Sequence, residues 1–205
     1  MLIAGAGGFA KELIELVSPE DIPYLHFFDD INTNDYLFDK FSILHSQESV
    51  KDFFKRQDKK FALGVGNPHA RKKLYELMTA CGGMAVTLVS KNAEIGNYQN
   101  KIGDGVNIMS GTIITNNIKI GRGSLINLHC SICHDSKIGE FCSLSPGVRV
   151  SGNCSIGDLC DLGASAVLLP GISVCSNTII GAAAVVTKDI TEPGTYVGIP
   201  AKRIK

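Results

Sequence analysis

The sequence carries no excess of charge, no long apolar run and no even set of cysteines, and each absence closes off a class of function. Its twenty Lys and Arg balance twenty Asp and Glu, so no one-signed field is present to draw in DNA, RNA or an anionic membrane. No stretch approaches the roughly 20 apolar residues that span a bilayer, so membrane insertion is not expected. The start, Met1-Leu2-Ile3-Ala4-Gly5, lacks the basic opening of a signal peptide and meets glycine at once. Seven cysteines are an odd number for a disulfide scaffold, and the expectation is buried, reduced thiols in a cytoplasmic protein without a metal.

What the chain does have is a period of six. Ile102, Ile108, Ile114, Ile120, Ile126, Ile132, Ile138, Leu144, Val150, Ile156, Leu162, Leu168, Val174, Ile180 and Val186 follow one another without a slip. Neither a helix nor an alternating strand asks for that spacing. A triangular β-solenoid does, with one strand and one corner per hexad and three hexads per coil. Four residues after each aliphatic comes a mostly small residue, among them Cys130, Cys142, Cys154 and Cys160, which reads as a second inward position where Cys acts as a small hydrophobe. Glycine follows the aliphatic at 103, 121, 139 and 157, one coil apart, as a tight corner requires. Five such coils stand about 24 Å tall.

Residues 1–89 obey other rules. Met1–Ala4 reads as a strand, Gly5-Ala6-Gly7-Gly8 as a turn, and Phe9, Leu13, Ile14 and Val17 as the apolar stripe of a helix. Tyr24–Phe28 is a second strand ending in Asp29-Asp30, and Phe61–Gly66 a third. Asn67 as N-cap and Pro68 at the first position announce a helix whose apolar face is Leu74, Leu77 and Met78, with Gly82-Gly83 as its stop. Met84–Val89 reads as one further strand. The alternation predicts a small parallel sheet with helices on its faces. Glycines between a first strand and its helix admit a diphosphate to backbone amides, and an acid some twenty residues on is placed for a ribose or base. The G-x-G-G run departs from the dinucleotide fingerprint, and the other reading is a tight strand-to-helix turn with no ligand.

The hexad repeat resembles the hexapeptide acyltransferases, which implies a left-handed parallel β-helix. Joined to a short nucleotide-binding-like domain, it resembles the bacterial sugar acetyltransferases of the PglD/NeuD type. The likeness runs over the whole chain: Gly5-Ala6-Gly7-Gly8, Asp29-Asp30, Leu63-Gly64-Val65-Gly66-Asn67 with Arg71-Lys72-Lys73, His134-Asp135 with Ile138-Gly139-Glu140-Phe141, and Val197–Arg203. It implies a Rossmann-like sugar-nucleotide domain over 1–89, a β-helix acetyltransferase domain over 90–190, and a tail over 191–205. The implied reaction is transfer of acetyl from acetyl-CoA to the amino group of a UDP-, dTDP- or GDP-linked amino sugar for a surface glycan, in a homotrimer.

Residue by residue, the resemblance puts the nucleotide sugar against Gly7, Gly8, Phe9, Asp29, Asp30 and Gly66. Amino-sugar members commonly have His where this chain has Phe9, whereas sialic acid O-acetyltransferases can have Phe, so O-acetylation of sialic acid is the alternative. Acetyl transfer to an amine or hydroxyl needs a base, and imidazole, which titrates near neutrality, makes His134 the candidate. Asp135 matches the acid that orients it, although Glu is frequent there, and Asn127 matches a contact to the acceptor's amine. Family contacts to acetyl-CoA fall on Ser143, Ala164 and Ala182, the two alanines being one coil apart. His129 and His134 have the spacing of a γ-class carbonic anhydrase pair, but a catalytic zinc needs a third ligand and the repeat holds no other histidine. A scaffold with a degenerate site is the remaining reading, and the intact His134, Asp135 and Asn127 argue against it.

Overall fold

The computed structural model describes residues 1–205, divided between a small α/β sheet and a three-sided parallel β-helix. In the first, strands β1 (Leu2–Ala4), β2 (His26–Phe28), β3 (Tyr36–Leu37), β4 (Phe41–Leu44), β5 (Lys60–Leu63) and β6 (Met84–Ala85) lie in the order 3-4-2-1-5-6. All pairings are parallel except β3 with β4. Central β1 is apolar throughout because both its faces are covered. Ile3 joins Ala10 and Leu13 of α1 (Gly8–Leu13) in one core. Leu2 and Ala4 join Val50 and Phe53 of α2 (Gln47–Arg56) and Met78 of α3 (Pro68–Ala80) in the other. The cap of α3 forms as its sequence implies, with Asn67 Oδ1 accepting from the Ala70 amide at 3.0 Å.

The single strand expected over Met84–Val89 is instead two. Met84–Ala85 pairs with β5, while Leu88–Val89 pairs with Asn107–Ile108 of the prism, so the chain changes sheet in between. The prism's first face stacks Leu88–Val89, Asn107–Ile108, Leu125–Ile126, Ser143–Leu144, Asp161–Leu162 and Thr178–Ile180. Its second stacks Glu94–Ile95, Ile113–Ile114, Ser131–Ile132, Arg149–Val150, Val167–Leu168 and Val185–Val186. The third stacks Lys101–Ile102, Lys119–Ile120, Lys137–Ile138, Ser155–Ile156 and Ser173–Val174. A coil thus precedes Ile102, and the step from Ile95 to Ile102 is seven residues rather than six. Asn100 takes up the extra residue, donating to the carbonyls of Gly96 (2.8 Å) and Thr115 (2.7 Å) and accepting from the Ile118 amide (2.9 Å).

The aliphatic series and the small series both line the axis. From Thr112 to Cys160 the polar members of the small series are satisfied by one repeated contact, each reaching the carbonyl fifteen residues ahead. Thr112 donates to Asn127 O (2.7 Å), Ser124 to Gly139 O (2.9 Å) and Ser136 to Ser151 O (3.0 Å), and Cys142 and Cys160 do the same through sulfur to Gly157 O and Cys175 O. Ser, Thr and Cys are interchangeable here because each supplies a small body and one donor. Burial pushes the Cys130 thiol up to about 11, so it stays a neutral donor. Cys130 and Cys133 stand at C-x-x-C spacing, yet Cys130 is an axis residue and Cys133 a half-buried corner residue, and all seven cysteines are free. The hairpin of Gly194–Val197 and Lys202–Arg203 closes the first face at its far end.

Candidate active site

Every sixth residue from 99 to 183, one at each corner of the prism there, lies in the left-handed region, and at 135 that residue is Asp, with φ of 62°. The turn brings its carboxylate back onto the preceding side chain, so that Asp135 Oδ2 meets His134 Nδ1 at 2.8 Å. Asn117, the left-handed residue one coil earlier, donates to Asp135 Oδ1 at 2.6 Å. Hydrogen bonds from His134 and then from Asn117 hold the Asp135 carboxyl below its usual range. An ionised Asp135 can only accept, so Nδ1 carries the proton and Nε2 presents its lone pair. The imidazole is 63% exposed and lies over Gly152, where a Cβ would stand 2.6 Å from Nε2. The ring therefore fills the space that a side chain at 152 would occupy.

The family resemblance puts Asn127, Ala164 and Ala182 with His134 and Asp135 in one site, and within a single chain the prism separates them. Asn127, Ala164 and Ala182 lie on the edge between the first and second faces. His134 and Asp135 lie on the edge between the second and third. His129 shares the edge of Asn127, so the two prism histidines are a full side apart, and no three His, Cys, Asp or Glu converge anywhere in the chain.

A cavity of about 240 Å³ opens between the α/β domain and the first face, lined by Phe9, Glu12, Gly66, Leu125, Asn127, Ser143, Ser145 and Asp161. Behind it lies Arg71 of α3, wholly buried. Its guanidinium donates to Gly123 O (2.6 Å), Phe141 O (3.0 Å), Cys142 O (2.8 Å), Val65 O (3.1 Å), Gly66 O (2.6 Å) and Ser143 Oγ (2.9 Å), which ties the two domains together. Burial lowers this arginine to about 10, still protonated at neutral pH. The Ser143 hydroxyl also bonds the Gly66 carbonyl. Expected beside Ala164 and Ala182, Ser143 is instead a junction residue on the first face, only 4% exposed. Its column partners across the ladder are Leu125 and Asp161, not the corner alanines, which are exposed.

The glycines of the α/β domain sort by what a side chain would meet. At Gly64 a Cβ would stand 2.7 Å from Ile3 and 2.8 Å from Ala10, so packing demands glycine. At Gly7, Gly8 and Gly66 a Cβ would meet nothing within 4 Å. The fold does not need these three bare, and the open space in front of them suits a ligand. Asp29 differs from expectation: Oδ2 accepts from the Ala6 amide at 2.9 Å and Oδ1 from those of Ile31 (3.0 Å) and Asn32 (2.9 Å), so it braces the glycine turn. Burial opposes its ionisation, but these amides, Asn32 first, outweigh it and hold the carboxyl low. Asp30 is exposed at the end of β2. Asp161 and Asn117 had no motif to mark them, and Arg71 stood only as part of the run Arg71-Lys72-Lys73 with no role attached; the meeting of distant segments gives all three their roles.

A parallel β-helix with a histidine–carboxylate pair on an outer edge has the architecture of the hexapeptide-repeat acyltransferases. Residues 1–78 match the PglD N-terminal domain. The GDP-perosamine N-acetyltransferase of Escherichia coli O157:H7 is 27% identical over 176 residues, covering 83% of this chain and 78% of that protein. WeeI from Acinetobacter baumannii AYE is 28% identical with a TM-score of 0.90, covering 99% of this chain and 98% of that one. The acetyltransferase domain of PglB from Neisseria gonorrhoeae FA1090, in complex with acetyl coenzyme A, is 26% identical with a TM-score of 0.87 over the same shares. Its first 78 residues carry the PglD N-terminal domain, and over its whole length the chain is similar to these PglD-type sugar acetyltransferases.

Proposed function

We propose that this protein moves acetyl from acetyl-CoA to the amino group of a UDP-, dTDP- or GDP-linked 4-amino-deoxysugar, for a surface glycan, and that it works as a homotrimer. The observation that carries the reading is the His134–Asp135 pair, held at 2.8 Å on an edge of the prism. The acceptor named for the E. coli relative and the acetyl coenzyme A of the N. gonorrhoeae domain support it.

In this reading His134 Nε2 takes a proton from the amine as its nitrogen attacks the thioester carbonyl. The C–N bond forms, the C–S bond breaks, and the thiolate of CoA recovers the proton from the imidazolium. Asp135 holds the ring's tautomer and stabilises its charged form. Gly7, Gly8, Phe9, Asp30 and Gly66 receive the nucleotide sugar, Asn127 faces its amine, and Ala164 with Ala182 leaves a flat track for the pantetheine. Asn127 and the alanines lie on one edge and His134 on the next, so the working site joins the first edge of one copy to the second edge of its neighbour. A ring of three copies satisfies that head-to-tail contact at every interface.

A CoA-release assay over UDP-, dTDP- and GDP-amino sugars, beside free and CMP-linked sialic acid, tests the reaction. Turnover confined to amino sugars is the expected result; turnover of sialic acid alone overturns it in favour of O-acetylation.

A further inference from the structure

Asp161 stands in the cavity between the domains with no assigned role. It occupies the outward column of the first face, directly above Ser143 in the ladder. Where Ser143 is claimed by Arg71 and Gly66, the Asp161 carboxylate accepts no hydrogen bond from the protein. It is half-buried, and burial pushes its carboxyl up while the charge of Arg71 draws it back toward ionisation. A carboxylate partly withdrawn from water without a protein donor is costly unless something else donates to it. The open side faces Phe9, Gly66, Asn127 and Ser145. Among the residues lining this cavity the only charged side chains are Glu12 and Asp161, both acidic, and none is basic.

We propose that Asp161 is a specificity-determining residue, taking hydrogen bonds from hydroxyl or amino groups of the acceptor sugar and turning away sugars that bear a carboxylate. The inference rests on the proposed acetyl transfer and narrows its acceptor to non-carboxylated amino sugars. A site built to accept hydrogen bonds rejects a ligand that brings an acceptor in place of a donor, because both groups then go unpaired. A sialic or uronic acid here would add a third negative charge to a confined space with no cationic side chain on its walls.

The test uses the full-length protein and the variants Asp161→Asn and Asp161→Ser, the latter placing on this column the residue it already carries at 143. Steady-state kinetics are measured with acetyl-CoA against a GDP- or UDP-linked 4-amino-deoxysugar and against its 4-amino-uronate counterpart, with circular dichroism as the control for folding. Loss of a hydrogen bond to a charged acceptor is expected to raise the KM for the neutral sugar about 10- to 100-fold. The KM for acetyl-CoA stays unchanged, and the preference for neutral over carboxylated sugar shrinks by at least about tenfold. An active wild-type enzyme whose acceptor KM and preference are the same in both variants overturns the role of Asp161 and leaves the acetyl transfer standing. A wild-type enzyme that acetylates no amino sugar overturns both.

Discussion

At the scale of single residues, the left-handed corner turns an ordinary His-Asp dipeptide into a hydrogen-bonded pair with a fixed imidazole. His134→Ala should lower kcat by about 10²- to 10⁴-fold, the usual worth of general base catalysis, with little change in acetyl-CoA affinity by calorimetry. Asp135→Asn should cost less, because it disturbs orientation but leaves the base; full activity in His134→Ala would remove the assignment. Asp29 yields a pH prediction. Its folded pKa lies below the unfolded value of about 3.9, so its contribution to stability is complete above that value and is lost as pH falls through the folded pKa. Asp29→Ala should reduce stability at pH 7 by about 2 kcal/mol in urea titrations. It should also flatten the loss between pH 4 and lower values, and an unchanged acid limb would place the coupling elsewhere.

At the scale of elements, glycines with different duties predict different failures. A Cβ at Gly139 would stand 2.5 Å from the Gly157 backbone of the next coil. Gly139→Ala should therefore cost about 2 kcal/mol of prism stability, since backbone cannot step aside. Gly8→Ala meets nothing within 4 Å. Its melting temperature should match the parent while binding of the nucleotide sugar weakens, and equal loss of stability in the two variants would refute the distinction. The same contrast governs what could be read in advance. The corner glycines and the inward aliphatics were legible because the coil repeats their environment every eighteen residues. The coil before Ile102 was not, because the seven-residue step at Asn100 breaks the period. The hairpin of β3 with β4 and helix α2, between Asp30 and Phe61, also escaped notice, although Ser46 and Ser49 form a capping box there and Val50, Phe53 and Phe54 are buried.

At the scale of the whole molecule, the proposed trimer makes a prediction that a monomeric site cannot. Light scattering should give three times 21.9 kDa. Asn127→Ala and His134→Ala, each impaired alone, should complement when the two are unfolded and reassembled together. With random assortment about one interface in four pairs an intact Asn127 with an intact His134 from the neighbour, restoring about a quarter of wild-type activity. Mixed trimers no more active than their parents would put both residues to work within one chain.

By itself the sequence determined the hexad prism, the strand–helix alternation ahead of it, the helix starting at Asn67 and the candidate base, because periodicity, capping and motif are local properties that each segment carries with it. Only the tertiary structure decided that Asn127 and His134 stand on different edges. It also decided that Ser143 belongs to the domain junction, that Asp29 braces a turn and that Arg71 with Asp161 backs the cavity. Those assignments depend on which distant segments meet, and Arg71 shows why: four of its six acceptors lie 52 to 72 residues away, a separation at which no local pattern can register them.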